Sequence, residues 1–516
     1  MKFFMPVFIL IFLFSGCGNI VTNTKKPVIT DNETENDEDV QTDSDFSVAD
    51  NDNESPDMTT DESSDSISDD DTVITDEIND TDENTTDIEI SDDDSAKDSR
   101  IDFTGPDFSG STILILNGSP DGEISVSSGA FENAVPQLKT ADSHRSVSGM
   151  LRNDLRPPLP ENLETPHIVN SKIRKSMIPP SKFVKGDTDI IYVYDFGSGN
   201  STAVQSTLQY VGTHIEIWKA DNVSLSATDI ASIGAEFDSE IYDLVTTNFY
   251  SESDIDGNGK ISIILANLGG FAAGYFNPAD YYTKEEYSES NFRDLIYIES
   301  GMGNDEIFST MAHEFQHLVH SNKNILIEGD WNSGELYYRY IDEGLAMAAQ
   351  HMYGGALAEM IYVINDSGYN QSIGEGNSFI YWDYDDDMKV YSDYAMAYVF
   401  IQYLRIRAGN DTTIYKEIIN CTTNDYKCVE NAIKSRIDPS YTFTDFLVDF
   451  RIAMLLQDKS GPYGFDGENG FEFSMPYYSG TSVSLRGGGG IYINSDGSFT
   501  KPSNSGAGII FVGINK

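Results

Sequence analysis

The stretch "STMAHEFQHLVHSN", residues 309–322, concentrates side chains suited to metal chemistry. His313, Glu314 and His317 follow the order H-E-x-x-H, and His320 comes three residues later. The chain has only seven histidines, so this stretch holds almost half of them. We therefore ask whether it binds a metal ion and which side chain would be the third ligand.

A helix through this stretch would place His313 and His317 on one face. Four residues complete just over one turn, so the two Cβ atoms are about 5–6 Å apart. Two imidazoles at that spacing can both reach one zinc ion at about 2.0–2.1 Å. Glu314 would then take a proton from the attacking water and pass it to the leaving amine. The motif is short enough to occur by chance, and the alternative is two histidines that only hydrogen-bond on a polar helix face.

Helix geometry argues against His320 as the third ligand. His320 follows His313 by seven residues, which is nearly the same face, but a rise of about 1.5 Å per residue separates them by roughly 10 Å. Ligands at about 2 Å from one ion cannot bridge that span together with His317. The longer pattern H-E-x-x-H-x-x-G-x-x-H fails as well, since His320 occupies the glycine place and Lys323 the last histidine place. We expect the third ligand on another element.

The surrounding pattern predicts an α+β fold with two lobes. The runs "DTDIIYVYDF", "TLQYVGTHIEIWKA" and "DLIYIES" are typical of strands. "SATDIASIGAEFDSEIYDLVTTNF" has capping residues and apolar spacings of three and four, which indicate an amphipathic helix. After the motif, helices dominate to about residue 460, and short strands with Gly-rich turns follow. A β-rich N-terminal lobe and a helical C-terminal lobe would hold the metal in the cleft between them.

The text around the motif resembles one group of metallopeptidases. A strand followed by the helix "HEFQHLV" and then "YIDEGLAMAAQ" is similar to the gluzincins, in which a glutamate on a second helix is the third zinc ligand. Within them the chain most resembles the hyicolysin family of neutral metallopeptidases, over roughly residues 185–460. "YVGTHIEIWKAD" and "YAMAYVFIQYL" are further matching stretches. The resemblance implies a gluzincin-like α+β fold and makes Glu343 the third ligand.

The resemblance also implies residues around the ligands. The thermolysin branch has an aspartate four places after the glutamate ligand, which orients a histidine, but this chain has Met347 there. Asp342 is therefore one candidate for that role. A tyrosine or histidine that stabilises the oxyanion is also implied, and Tyr394 is our choice, with Tyr391 as the alternative. Either tyrosine could instead only pack, because the chain has 29 tyrosines.

The turn "DIDGNGKIS" resembles the start of an EF-hand loop. Asp254, Asp256 and Asn258 occupy its first, third and fifth positions, and Gly259 occupies the sixth. The twelfth position is Leu265, where a bidentate glutamate would be needed. The turn is either a weak calcium site completed from elsewhere in the chain or an ordinary Asp/Asn/Gly turn.

The N-terminal part predicts export and a lipid anchor. Residues 1–17 combine Lys2, an apolar run and the ending F-S-G-C, which is typical of a secretory signal with a lipobox at Cys17. The alternative is a plain signal peptide. Between residues 31 and 100 there are 29 Asp and Glu against two Lys and Arg, so 18–103 is interpreted as an acidic disordered stalk. The formal net charge is −53, and no basic patch suited to nucleic acid is present.

The remaining boundaries follow from composition. We interpret 104–182 as a β-rich segment with a Pro-rich linker, 183–462 as the zinc metallopeptidase domain, and 463–516 as a small C-terminal β unit. Residues 104–182 acting as a pro-segment is a further alternative. The pair Cys421 and Cys428 predicts one short-loop disulfide in an exported chain.

The sequence thus predicts a zinc metalloendopeptidase that acts on proteins or peptides outside the cytoplasm. The lipid anchor would hold it to the cell membrane or outer membrane, facing the periplasm or the cell surface. One alternative is a non-catalytic zinc-binding surface lipoprotein such as an adhesin, although an intact Glu314 argues against it. The other alternative is a hydrolase that does not act on peptides.

Overall fold

The described part of the chain runs from strands to helices and back to strands. In the computed structural model the described residues are 100–102, 107–108, 112–120, 126–127, 157–158, 183–327, 339–382, 387–421, 425–480, 483–494, 499–501, 505–506 and 508–515. Cys17, residues 18–99 of the predicted stalk and most of 104–182 lie outside these ranges, and so do the predictions made for them. Residues 100–102, at the end of the predicted stalk, are described and form a strand.

Ten strands precede the motif helix, three of them after the first two helices, and four strands follow the last helix among the described residues. They are β1 (Arg100–Asp102), β2 (Asp107–Phe108), β3 (Thr112–Asn117), β4 (Val126–Ser127), β5 (Thr188–Asp195), β6 (Asn200–Val211), β7 (Ile215–Ala220), β8 (Ile261–Ala266), β9 (Gly274–Phe276), β10 (Leu295–Glu299), β11 (Ser484–Leu485), β12 (Gly490–Asn494), β13 (Phe499–Thr500) and β14 (Ile509–Ile514).

The helices lie between β7 and β11. They are α1 (Ala227–Glu236), α2 (Tyr242–Asn248), α3 (Asn304–Ser321), α4 (Arg339–Gly354), α5 (Ala358–Asn365), α6 (Gln371–Gly374), α7 (Asp387–Arg407), α8 (Thr413–Ile419), α9 (Tyr426–Arg436) and α10 (Phe443–Leu456). A π-helical turn, Phe237–Ile241, joins α1 to α2, and a second one, Asn322–Ile327, extends α3.

A mixed six-stranded sheet supports the helices in the order β5-β6-β7-β8-β10-β9. β7, β8 and β10 are parallel, whereas β5, β6 and the edge strand β9 are antiparallel to their neighbours. All six residues of β8, "ISIILA", are buried, as expected for a central strand covered on both faces.

One face of this sheet packs against the motif helix α3. Alternate residues of β7, β8 and β10 share one apolar core with α3, because successive side chains of a strand point to opposite faces. The core members on these elements include Ile217, Ile263, Ile296, Met311, Phe315 and Leu318. The short connection from β10 to α3 therefore anchors the start of the motif helix at the sheet.

Helix α4 lies between α3 and α7, and a glycine allows its close approach to α7. A Cβ atom on Gly344 would lie 2.5 Å from Cγ1 of Ile401 and 3.3 Å from the carbonyl oxygen of Ala397. Such distances require a side chain or the backbone to shift, so glycine directly after Glu343 sets the spacing of the two helices. This spacing in turn fixes the position of Glu343 relative to α3.

Strands from the two ends of the described chain form a second sheet together. Its order is β1-β14-β3-β12, and each pair is antiparallel. Leu114 and Leu116 of β3 and Val512 of β14 belong to the same apolar core as the helices. The segments 104–182 and 463–516, which the sequence analysis treats as separate units, are thus joined through β3, β12 and β14.

The architecture is mixed α and β with a helical C-terminal part, which agrees with the α+β prediction. The Cys421–Cys428 disulfide predicted above is present, with 5.4 Å between the two Cα atoms. None of the helices in the described ranges combines the length and apolar character needed to cross a membrane.

Candidate metal centre

Three donor atoms from α3 and α4 converge in the interior. The Nε2 atoms of His313 and His317 are 3.1 Å apart, and Oε2 of Glu343 lies 3.3 Å from the first and 3.4 Å from the second. All three side chains are buried. We call this group the His/His/Glu centre.

The shape of this triangle fits a tetrahedral metal ion. Ligands at about 2.0–2.1 Å in tetrahedral geometry are separated from one another by roughly 3.3 Å. The three observed separations of 3.1, 3.3 and 3.4 Å match that value. Two imidazole nitrogens and one carboxylate oxygen are also the donor set of a known class of catalytic zinc site.

Hydrogen bonds on the far side of each imidazole fix which nitrogen carries the lone pair. Nδ1 of His317 is 3.1 Å from Oδ1 of Asp342, and an ionised carboxylate can only accept. Nδ1 of His313 is 2.9 Å from Oε1 of Gln350, whose Nε2 donates to Ser309 at 3.1 Å. Both Nδ1 atoms therefore donate, and both neutral rings present Nε2 lone pairs to the centre, as a cation requires.

His320 contacts the outside of the centre rather than the donor triangle. Its Nδ1 atom is 2.9 Å from Oδ1 of Asp342, the same oxygen that contacts Nδ1 of His317. The group of side chains able to share one ion comprises His313, His317 and Glu343. Asp342, the residue directly before the donor Glu343, thus contacts two histidines of α3.

Burial and charge influence the protonation of the donors. Burial lowers the pKa of His313, which favours the neutral ring. Burial alone would raise the pKa of Glu343, but His317 and His313 outweigh this effect and hold that pKa below its usual range. Both directions favour the protonation states that bind a metal ion.

A cavity of about 710 Å³ reaches the centre from the surface. His313, Gln350, Met347 and two tyrosines, Tyr391 and Tyr394, contribute to its lining. The hydroxyl of Tyr394 is buried and has no hydrogen-bond partner among the described residues. A buried hydroxyl without a partner is costly unless something else uses it, so this group is available to a ligand in the cavity.

Glu314 lies beside His313 on α3 and is completely buried. The edge strand β9 approaches it closely, since a Cβ atom on Gly274 would lie 2.9 Å from Cγ of Glu314 and 2.7 Å from Cγ2 of Thr310. Glycine at this position lets the edge strand approach the motif helix. Ala273, the residue before it, lines the cavity.

A second group of oxygens lies at the turn before β8. Oxygens of Asp254, Asp256 and Asp294 lie within 4.8 Å of one another, and we call these three residues the Asp cluster. Burial, together with the nearby charges of Asp254 and Glu216, raises the pKa of Asp256 to about 6. Asn258 lies next to this group: its side-chain nitrogen donates to Oδ2 of Asp256, and its side-chain oxygen accepts from the backbone nitrogen of Lys260.

Sequence reasoning missed Gln350 and Asp294. Gln350 stands seven residues after Glu343 on the same helix, so helical periodicity could have indicated that it faces α3. Asp294 directly precedes β10, which is the parallel neighbour of β8, and this adjacency becomes visible only when the strand order is known.

The fold and the centre together define a metallopeptidase. The described features are an H-E-x-x-H helix, a glutamate on the next helix and a cavity that reaches the donor atoms. The chain is similar to neutral metalloprotease ShpI of Staphylococcus hyicus, with 31% identity over 325 residues, covering 60% of this chain and 72% of the staphylococcal protein. The chain therefore belongs to this neutral metalloprotease family. It matches no family model.

Proposed function

We propose that the protein is a zinc-dependent endopeptidase of the gluzincin type, with His313, His317 and Glu343 as the metal ligands. The observation that carries this proposal is the buried donor triangle, whose edges of 3.1–3.4 Å suit a tetrahedral ion. The peptidase domain is proposed to span residues 183–462, and proteins or peptides are its substrates.

The side chains around the cavity have distinct roles in this proposal. His313, His317 and Glu343 would hold the zinc ion, which would supply Lewis acidity for the scissile carbonyl and the attacking water. Glu314 accepts the proton from that water and delivers it to the leaving amine. Asp342 and Gln350 hold the two imidazoles in the ligating tautomer through their contacts with Nδ1.

Tyr394 is the proposed donor to the oxyanion. Its buried hydroxyl lines the same cavity as His313 and has no hydrogen-bond partner among the described residues. A donor that is already positioned and desolvated stabilises charge that develops in the transition state. Tyr391, the alternative, also lines the cavity but is more exposed, at 8% against 4% for Tyr394.

Replacing the base tests the mechanism without removing the ligands. Glu314→Gln preserves the three donors and the side-chain volume, so we expect stoichiometric zinc and a native fold. General-base catalysis contributes about 10²–10⁴-fold, and turnover of a quenched fluorescent peptide should fall by roughly that factor. Metal analysis and circular dichroism on the same sample provide the comparison. Turnover near that of the wild type would contradict the role of Glu314.

Incubating the wild type with a denatured proteome, with and without a chelator, distinguishes the peptidase from two alternatives. A zinc-binding adhesin would retain zinc and cleave no member of a denatured proteome, with or without a chelator. A non-peptide hydrolase would release products that contain no new amino terminus, as seen by mass spectrometry. Chelator-sensitive appearance of new amino termini supports the peptidase and excludes both alternatives.

The N-terminal residues are proposed to export and anchor the enzyme. In this proposal acylated Cys17 attaches the chain to a membrane, and the acidic stretch before residue 104 extends the catalytic part away from it. Cys17→Ser should abolish acylation and move the protein into the soluble fraction. A variant that remains with membranes through detergent-free washes would refute the lipid anchor.

The Asp cluster is proposed to bind calcium. Two carboxylates from the turn and one from Asp294, directly before β10, supply hard oxygen ligands, which calcium prefers. The site would be completed by Asp294 rather than by a glutamate at position 12 of the loop. Its role in this proposal is to stabilise the turn that leads into β8.

A further inference from the structure

The cavity that reaches His313 has an acidic wall. Asp305 and Glu306 lie on the first turn of α3, Glu359 lies on the first turn of α5, and all three line the cavity with exposed carboxylates. Among the lining residues of the described chain there is no lysine or arginine. The local field therefore attracts positive charge.

Carboxylates from a neighbouring segment add to this field. The hydroxyl of Tyr353, which also lines the cavity, donates to Oε1 of Glu236 at 2.7 Å. Burial raises the pKa of Tyr353 above its usual range, and Glu236, Asp305 and Glu240 raise it further. Negative charge from α1 and from the following π-helical turn thus gathers at the same end of the cavity.

Apolar side chains of flexible shape line the cavity together with these carboxylates. Met302 and Met360 are half-buried at the cavity, and Leu357 is almost fully buried beside them. Methionine side chains are flexible and fit apolar groups of varied shape. A long aliphatic stem that carries a charged head suits such a surface, with the stem on the methionines and the head among the carboxylates.

We infer that this cavity selects peptide substrates that carry a lysine or arginine side chain close to the scissile bond. The inference rests on the proposed peptidase function, since it names the substrate class of the same site. An uncharged apolar side chain would fill the methionine wall but would leave the carboxylates without a counter-charge. An acidic side chain would be repelled by them.

Peptides that differ at a single position test this inference. Quenched fluorescent peptides with one Lys, Gln or Glu, placed in turn at each of three positions on either side of the scissile bond, isolate the charge. At one or more positions we expect kcat/KM for Lys to exceed that for Gln by about five- to tenfold, since each exposed ion pair is weak. The ratio should shrink as salt rises from about 20 to 300 mM, because the carboxylates are solvent-exposed.

Substitutions of the cavity carboxylates test whether they cause the preference for lysine. Asp305→Asn combined with Glu359→Gln should bring the Lys-to-Gln ratio close to one, and any loss common to both peptides cancels from that ratio. Glu306 is left unchanged because its Oε2 accepts from the backbone nitrogen of Gly303 at 3.0 Å. Glu285→Gln is the matched control, since Glu285 is exposed and does not line the cavity. It should retain the wild-type ratio.

The outcomes separate the two proposals. Equal cleavage of Lys, Gln and Glu peptides at every position, or a Lys preference that survives in the double variant, would overturn the inference and leave the peptidase intact. Failure of the wild type to cleave any peptide would overturn the proposed function and this inference with it. A Lys preference that disappears in the double variant and persists in Glu285→Gln supports it.

Discussion

The His/His/Glu centre and the Asp cluster are two groups of metal-ligating side chains built in different ways. The His/His/Glu centre lies on two long packed helices, and both of its imidazoles are held from behind by side chains of α4. The Asp cluster joins a turn to the start of β10, and Asp254 is exposed to solvent. The first arrangement therefore holds all of its donors in the interior, whereas the second exposes one of its donors to solvent.

This difference predicts different consequences of losing one ligand. In the proposed function the His/His/Glu centre would bind zinc, which its nitrogen donors and low solvent access suit, and that ion would serve the reaction. The Asp cluster would bind calcium, which its oxygen donors suit, and that ion would serve stability. Substitutions in the first group should therefore affect metal content and turnover, and substitutions in the second should affect mainly thermal unfolding.

The largest effect is expected from Glu343→Ala. Removing Oε2 leaves two nitrogen donors on α3, and a zinc site with only two protein ligands is incomplete. Zinc content of the purified protein should fall well below one per chain, and hydrolysis should fall with it. Inductively coupled plasma mass spectrometry measures the metal on protein that is shown to be folded by circular dichroism.

His320→Ala is the control for this prediction. His320 lies on the motif helix only three residues after His317. Its Nδ1 atom nevertheless contacts Asp342 and not the donor triangle. The His320→Ala protein should retain one zinc ion per chain. The reverse pattern, with zinc lost in His320→Ala and retained in Glu343→Ala, would move the third ligand and contradict the gluzincin interpretation.

An intermediate effect is expected from Asp342→Asn. The substitution keeps the shape of the side chain but replaces the carboxylate that accepts from His317 with a neutral amide. Loss of such outer partners typically weakens metal affinity by about 10–100-fold. Zinc affinity measured by competition with a chelator should fall within that range. In the cobalt-substituted protein, the visible absorption bands should shift because the His317 donor is altered.

An unchanged zinc affinity in Asp342→Asn would show that the contact with His317 is structural only. Gln350→Ala provides the comparison for the other imidazole, because Gln350 contacts His313 in the same way through a neutral amide. We expect a smaller loss of affinity there than in Asp342→Asn, since a hydrogen bond to a charged group is roughly twice as strong as one between neutral groups.

The helix-borne part of the site was largely predictable from sequence. H-E-x-x-H fixes two donors through helical periodicity, and the third came from a family resemblance rather than from spacing. The outer partners were harder to predict. Asp342 was named as one candidate. Gln350 was not considered, because the face that α4 turns toward α3 depends on the close approach of helices at Gly344.

The pairing of strands in the two large sheets could not be predicted from the sequence. Strand character was predicted for 104–182 and for 463–516, but the pairing of β3 with β14 joins residues almost 400 positions apart. Local patterns carry no information on such a partner. For the same reason Asp294 could not be predicted as a member of the Asp cluster. It lies near Asp254 and Asp256 only because β10 pairs with β8.

The smallest effect is expected from Asp256→Asn in the Asp cluster. With zinc saturated, calcium at about 100 times its dissociation constant should stabilise the wild type by about 2.7 kcal/mol. For a domain of this size that amounts to a rise of several degrees in Tm, at about 2–4 °C per kcal/mol. Differential scanning calorimetry should show the rise in the wild type and little of it in Asp256→Asn.

Asp195→Asn separates calcium binding from turn geometry. Asp195 ends β5 directly before a turn, where its Oδ1 accepts from the backbone nitrogen of Gly197 at 2.9 Å, and it belongs to neither of the two groups. An asparagine oxygen can accept the same bond, so this variant should retain the full response to calcium. If Asp256→Asn responds to calcium as strongly as Asp195→Asn does, the turn before β8 is an ordinary Asp/Asn/Gly turn. The His/His/Glu centre would then be the only one of the two groups that binds an ion.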